Sequence, residues 1–301
     1  MVDSKLTGNI YVLLTAVCLS FSTVFTHSVV QNVNPIVFAF YSFVLVMVLL
    51  LLLRISYFGG LGHLFFTIKT SYKNLIYINV TSAIDWILFL IALKYINGSF
   101  VNAIVFGITP IATLLFSRSF TKLRCLFSGI ILILLMVVGF DYISVEKIHS
   151  THFGLAITFC VLAGMAVGGT ILFSKYLSNE QVKVIDVILL RYMATIIVSA
   201  SIIAITQYSL NISLANLAKI AVASLLFVLI PAYFLQKGIA LISSFNAAVI
   251  SSSIPAITYF MGALWSLRVD GVQMITIGAL SLVLILYSRL RTEGENRFEK
   301  E

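Results

Sequence analysis

Ten stretches of the chain are apolar over about the length needed to cross a bilayer, and the joints between them are too short to hold a soluble domain. They lie at 8–30, 35–53, 75–93, 99–116 and 125–142, then at 154–177, 184–206, 217–235, 243–266 and 272–290. A spanning helix needs roughly 20 predominantly apolar residues at 1.5 Å of rise each. Inside a bilayer only helices and closed barrels satisfy their own backbone groups. The runs lack the alternation of apolar and polar residues that marks barrel strands. The expected fold is therefore an all-α integral membrane protein of ten transmembrane helices. Composition agrees, since 60% of the 301 residues are hydrophobic and 10% charged, where soluble domains carry about 25% charge.

The 19 Lys and Arg against 11 Asp and Glu give a net charge of +8. The basic residues stand singly at the ends of apolar runs, with no basic stripe or aromatic interleaving, so nucleic acid is not an expected partner. Their distribution speaks to orientation, because basic loops stay on the cytoplasmic side. With the N-terminus inside, fourteen fall on the cytoplasmic face: Lys5, Arg54, Lys69, Lys73, Arg118, Lys122, Arg124, Lys175, Lys183, Lys237, Arg289, Arg291, Arg297 and Lys300. Four fall outside, Lys94, Lys147, Lys219 and Arg268, and Arg191 lies within a span. Both termini are expected in the cytoplasm, with 291–301 a charged, disordered tail. The first run is preceded only by Lys5 and lacks a small-residue cleavage site, so it reads as a retained helix.

Sliding the sequence on itself by 145 residues lays 99–113 over 244–258, with Ser, Phe, Ala, Pro and Thr coinciding at five of fifteen positions. The coincidence includes Pro110 and Pro255, two of only four prolines in the chain. Each unit would hold five helices, an odd number, so the second copy inserts upside down. The expected organisation is a first five-helix repeat over 1–143, a connection over 144–153, a second repeat over 154–290 and the tail. Inverted repeats place a substrate site near the midplane between halves and expose it alternately to the two sides. Pro110 and Pro255 each remove a backbone donor, and either bend their helices or only shape packing.

The run 92–96 (Ala-Leu-Lys-Tyr-Ile), followed by Ala103 and Pro110, with a counterpart ending in Pro255, resembles the fourth and ninth helices of EamA-type members of the drug/metabolite transporter superfamily. That resemblance implies a ten-helix transporter of small polar or amphipathic metabolites in a bacterial inner (plasma) membrane. It also implies a central cavity lined by the first four helices of each half, with the fifth and tenth peripheral. Many relatives carry Arg in the second helix of each half; here Arg191 answers in the second half, while the first reads Phe-Tyr-Ser at 40–42. A Glu-Arg pair common after the fourth helix is replaced by Ser-Arg-Ser-Phe at 117–120.

Ionisable groups inside a span are costly, about 2.5–3.5 kcal/mol on insertion scales, and so mark function. Asp85 stands ten residues into the third run, about 15 Å deep, and Arg191 seven residues into the seventh. Asp186 lies nearer the surface, within expected reach of water. Asp85 either lines a cavity, where it receives a cationic or hydroxylated substrate or exchanges a proton, or it forms a fixed ion pair with Arg191. Trp86, Tyr95, Tyr192, Tyr233 and Trp265 are candidate aromatic walls or interfacial anchors. Asn102 and Asn246 offer amide hydrogen bonds to a ligand or to a neighbouring helix, and Thr15, Ser20, Ser22, Thr23 and Thr26 give the first helix a polar face. Gly164 and Gly168 form a GxxxG suited to close helix packing.

Asn-x-Ser/Thr triplets at Asn79, Asn97 and Asn211 carry no expectation. Cys18, Cys125 and Cys160 lack CxxC spacing and read as small core hydrophobes. His27, His63, His149 and His152 show no HExxH spacing, and neither GxSxG nor a P-loop occurs. No metal, cofactor or enzyme chemistry is expected. The expected function is secondary transport of a small metabolite, by export or exchange, with a proton or counter-substrate as the coupled partner. A lipid-flipping or channel-like scaffold is the alternative, ahead of a membrane-embedded enzyme.

Overall fold

A computed structural model describes residues 4–57, 62–117 and 151–266, together with positions 271, 275, 278, 279, 282 and 283. The spans expected at 125–142 and 272–290, most of the connection 144–153, the tail 291–301 and the side chain of Trp265 lie outside the described residues. Every described element is helical. In chain order they are α1 (Ser4–Val30), α2 (Pro35–Tyr57), α3 (Gly62–Tyr95), α4 (Gly98–Ser117), α5 (Thr151–Asn179), α6 (Val184–Arg191), α7 (Met193–Thr206), α8 (Leu214–Val222), a π-helical turn (Ala223–Leu229), α9 (Ile230–Leu241), α10 (Ser244–Ser251) and α11 (Ile254–Ser266). Among the described residues these make eight segments long and apolar enough to cross a membrane.

Local chemistry sets the helix starts. Asn34 caps α2 by accepting from the Ile36 N–H at 2.9 Å, with Pro35 at the first helical position, where no donor is needed. Asn97 caps α4 through the Phe100 N–H at 2.9 Å. Ser243 caps α10 through the Asn246 N–H at 3.3 Å. At the other end of α9, the Lys175 ammonium donates to the carbonyls of Ile239 (3.1 Å) and Ala240 (3.2 Å), groups that a helix C-terminus leaves open.

Besides α3, which bends at Ser71, three of the described spans, numbered in the order of the ten expected apolar runs, are not continuous α-helices. The seventh breaks at Tyr192, between α6 and α7. The eighth runs through the π turn, where Ile230 N–H donates to Leu225 O, just before Pro231 removes the next donor. The ninth breaks at Ser252 and Ser253, between α10 and α11. The two aligned prolines therefore sit differently. Pro110 lies inside an uninterrupted α4, whereas Pro255 starts α11 after a break. Pro110 leaves the carbonyl of Phe106, four residues earlier, without its helical donor. The Ser252 hydroxyl supplies one at 2.7 Å.

The halves interlock by exchanging partners. α1 packs on α9, α10 and α11 from the second half, and α5 packs on α3 and α4 from the first. The α5–α4 contact is close because Gly164 and Gly168 face it: a Cβ on Gly168 would stand 2.6 Å from Ala112 Cβ and 2.9 Å from Thr109 O, and one on Gly164 would stand 2.6 Å from Val105 O. The Thr109 and Thr113 hydroxyls reach the carbonyls of Gly164 (3.4 Å) and Gly168 (3.5 Å) across this seam.

Candidate functional site

Between the halves lies a cavity lined by residues of both. α1 contributes Thr15, Ser22 and Thr23; α3 contributes Asp85 and Trp86; and the break in the seventh span contributes Arg191 and Tyr192. Much of the remaining wall is apolar, with Phe89, Phe106, Val167 and Ile171 among it. A mostly apolar wall with a few converging polar groups is the make-up of a small-molecule site.

Arg191 is 4% exposed, and its Nε and Nη1 have no hydrogen-bond acceptor among the described residues. Its guanidinium lies over the Tyr192 ring, 4.8 Å from the centroid, a geometry that favours a planar cation. Tyr192 packs on Phe43 at 4.7 Å, and Phe43 in turn on Trp86 at 5.2 Å, edge to face. The Tyr192 hydroxyl and the Trp86 indole N–H also lack partners among the described residues. Asp85 is half-buried on the cavity wall and makes no ion pair or hydrogen bond within the described residues. It shares the cavity with Arg191, and the two charges interact, yet they are not in ion-pair contact.

The buried ion pair among the described residues is a different one. Arg54 Nε lies 2.7 Å from Asp186 Oδ1, and both side chains are buried. By sequence alone Arg54 belongs to a cytoplasmic loop and Asp186 lies within reach of water. The fold buries both because the C-terminal end of α2 packs against α6, and each charge provides what the other needs to leave water.

The helix break that presents Arg191 is held open by a residue not among the sequence candidates. Asn79, on α3, donates its Nδ2 to Leu190 O at 2.8 Å and accepts from Ala194 N–H at 3.0 Å. Leu190 and Ala194 are four apart and would bond each other in an unbroken helix. The amide is thus inserted into one rung of the helix, a recognised cause of kinks. A polar residue midway along an apolar run was the available signal, masked by its place in an Asn-x-Thr triplet.

The other sequence candidates fall elsewhere. Asn102 is buried outside the cavity, donating to Thr23 Oγ1 at 3.0 Å and Thr258 Oγ1 at 2.7 Å, and so ties α4 to α1 and α11. Asn246 does not line the cavity; its backbone N–H donates to the Ser243 hydroxyl at the start of α10. Tyr233 is exposed and lines a second pocket with Arg54, Asp186 and Lys237. Tyr95 is exposed and stacks on His152 at 5.1 Å. On α1, the Ser20 hydroxyl reaches the Ile254 carbonyl at 3.1 Å, and Thr15 reaches that of Pro231 at 3.3 Å, so part of the polar face serves helix contacts.

Known proteins share this architecture. A solved structure titled only "Crystal structure of protein" matches with a TM-score of 0.67 over 95% of this chain and 98% of that one, at 14% identity, a likeness of fold. No curated protein matches the sequence. The EamA-like transporter family matches twice, over residues 6–145 and 154–289. Those two segments take in nearly all of the chain, with the cavity residues divided between them: this multi-pass integral membrane protein belongs to the EamA-like transporter family, whose members carry small molecules across membranes.

Proposed function

We propose that the protein is a secondary transporter working by alternating access, an exporter or exchanger of a small metabolite, built as ten spans in an inverted five-plus-five repeat with both termini in the cytoplasm. The observation that carries the reading is the cavity: it lies between the halves, and its wall holds a half-buried Asp and a buried Arg that are not joined in an ion pair. A protein that needed these charges only for packing would join them, as it joins Arg54 to Asp186. Three features support the repeat. The family matches both halves. The first helix of each half packs on helices of the other. Aligned prolines occur in α4 and α11. Breaks in the seventh and ninth spans, both adjoining the cavity at Tyr192 and Ser251, supply the local freedom that rocking of one half against the other requires.

Purified protein in proteoliposomes tests this. Preloaded unlabelled solute should drive uptake of the same solute in labelled form against its gradient, as a carrier requires. Uptake that never exceeds equilibration, whatever the preload, would point to a channel, and chemical conversion of the solute to an enzyme.

A further inference from the structure

We propose that the second pocket, between α2, α6 and α9, binds the phosphate of an anionic phospholipid headgroup. Three cations converge on it from three directions: Arg54 from the C-terminal end of α2, Lys183 from the residue before α6, and Lys237 from α9. The acid on its wall is Asp186, and Arg54 takes both carboxylate oxygens, Nε lying 2.7 Å from Oδ1 and Nη2 donating to Oδ2 at 3.5 Å. Neither lysine makes an ion pair among the described residues. The pocket therefore keeps two positive charges that its own acid does not answer. Like charges gathered in one place repel, and an anion between them removes the repulsion. Lys237 Nζ is held over the Tyr233 ring, 5.5 Å from its centroid. Val184 and Ile185, also on the wall, belong to the first turn of α6, whose N–H groups have no acceptor within the helix, and no side chain caps that turn. Ammonium groups beside an open helix N-terminus are donors suited to phosphate oxygens.

The surroundings point to a lipid as the source of that phosphate. The pocket shares no lining residue with the central cavity. Leu226, Ile230, Tyr233 and Lys237 follow one another at intervals of four, three and four residues, and so share one helix face. The three above Lys237 in that series are exposed. From Lys237 to Leu226 is eleven residues, about 16 Å at 1.5 Å of rise each, or half of a hydrocarbon core about 30 Å thick. A headgroup seated at Lys237 thus lays its acyl chain along Tyr233, Ile230 and Leu226 for the depth of one leaflet, a surface that a soluble phosphate would not use. In the orientation proposed above this leaflet is the cytoplasmic one, where basic groups at helix ends meet anionic lipid. Because α2 belongs to the first half and α6 and α9 to the second, the bound phosphate bridges the halves at this end.

The test uses the purified full-length protein in micelles doped with phosphatidylglycerol or with phosphatidylcholine, read by thermal shift and by native mass spectrometry of retained lipid. Phosphatidylglycerol should raise the melting temperature and be retained in preference to phosphatidylcholine. Lys183→Gln and Lys237→Gln should each melt as wild type without added lipid, should each weaken phosphatidylglycerol about fivefold, and together should weaken it about 25-fold, the effect of two independent lysine contacts near the membrane surface. Lys69→Gln, an equal loss of charge at an exposed residue outside the pocket, should leave the affinity unchanged. Equal weakening by Lys69→Gln would mean a diffuse surface attraction and overturn the site. So would equal retention of phosphatidylcholine, or a double variant that still holds phosphatidylglycerol as wild type does. Stabilisation by glycerol 3-phosphate or inorganic phosphate as strong as that by phosphatidylglycerol at the same concentration would overturn the lipid as occupant. None of these measurements involves transport, so the site and the transport reading stand or fall separately.

Discussion

Asn79→Ala is the most informative single change, because two physical outcomes differ widely in magnitude. The substitution removes the acceptor of the Ala194 N–H and the donor to the Leu190 carbonyl, at 3.0 and 2.8 Å. If the break at Tyr192 persisted, two backbone groups would be stranded in an apolar interior, at several kcal/mol each. Those groups are, however, each other's helical partners, four residues apart, and with the amide gone they can bond directly. The loss then reduces to two interhelical side-chain bonds, about 0.6 kcal/mol each on average in membranes, against one backbone bond regained. The expected outcome is therefore a destabilisation of about 1 kcal/mol or less, a melting shift of roughly 2–4 °C. Closing the rung turns Arg191 and Tyr192 out of their places on the cavity wall, so counterflow should fall to the level of Arg191→Gln. Thermal unfolding of the purified variant and proteoliposome exchange measure the two quantities independently. A loss of about 4 kcal/mol or failure to fold would mean that the rung cannot close, and full exchange at preserved stability would mean that the amide does not position Arg191.

Other outcomes follow from the same structure. Asp85→Asn should abolish concentrative transport while leaving a folded protein, and neutralising Arg191 as well should not restore stability, since the two are not in contact; rescue in the double variant would restore the fixed-pair reading. Arg54→Met should cost about 3–5 kcal/mol by stranding Asp186, whereas Arg54→Met with Asp186→Leu should recover most of it, as denaturation of both variants will show. Gly168→Ala should destabilise by about 1–3 kcal/mol, because its Cβ meets backbone atoms of α4, while Gly154→Ala, with open space around it, should melt close to wild type. A cysteine placed near the C-terminus, with Cys18, Cys125 and Cys160 replaced, should react with an impermeant reagent only after cells are permeabilised; labelling of intact cells would reverse the assigned orientation.

The eight described spans were legible because hydrophobic length is a property of one segment and needs no partner. Helix α3 begins thirteen residues before its apolar run, at Gly62 rather than 75, because its first turns carry Thr67, Lys69, Thr70 and Lys73 and bend at Ser71 (φ −112°, ψ 19°) before the apolar part begins. Asp85, Trp86, Arg191 and Tyr192 were legible for a similar reason, as polar or aromatic groups deep in apolar runs. What the sequence concealed depends on pairs far apart along the chain. Neither break could be read locally, since what accommodates each is on another helix: Asn79 for the seventh span, and for the ninth the Phe106 carbonyl that Pro110 leaves open. The same holds for Arg54 and Asp186, each unremarkable at the end of a hydrophobic run until the fold joins them. Asn102 and Asn246, adjacent in the aligned repeats, differ because the Asn102 amide meets two threonine hydroxyls, whereas Asn246 engages Ser243 at its helix start through the backbone N–H.

The Arg54–Asp186 pair also bears on how the protein is made. The two residues are 132 positions apart, so at about 5–20 residues per second a ribosome delivers the acid roughly 7–26 s after the base. Through that interval Arg54 sits at the end of a span already in the membrane without Asp186 beside it, and reaches for headgroups and water. The first half on its own is thus a strained insertion intermediate, and it also lacks the α9 and α11 surfaces that α1 covers. Expressed from separate genes, the two halves should each be degraded when alone and accumulate when made together, with the acid of the second completing the membrane burial of the first.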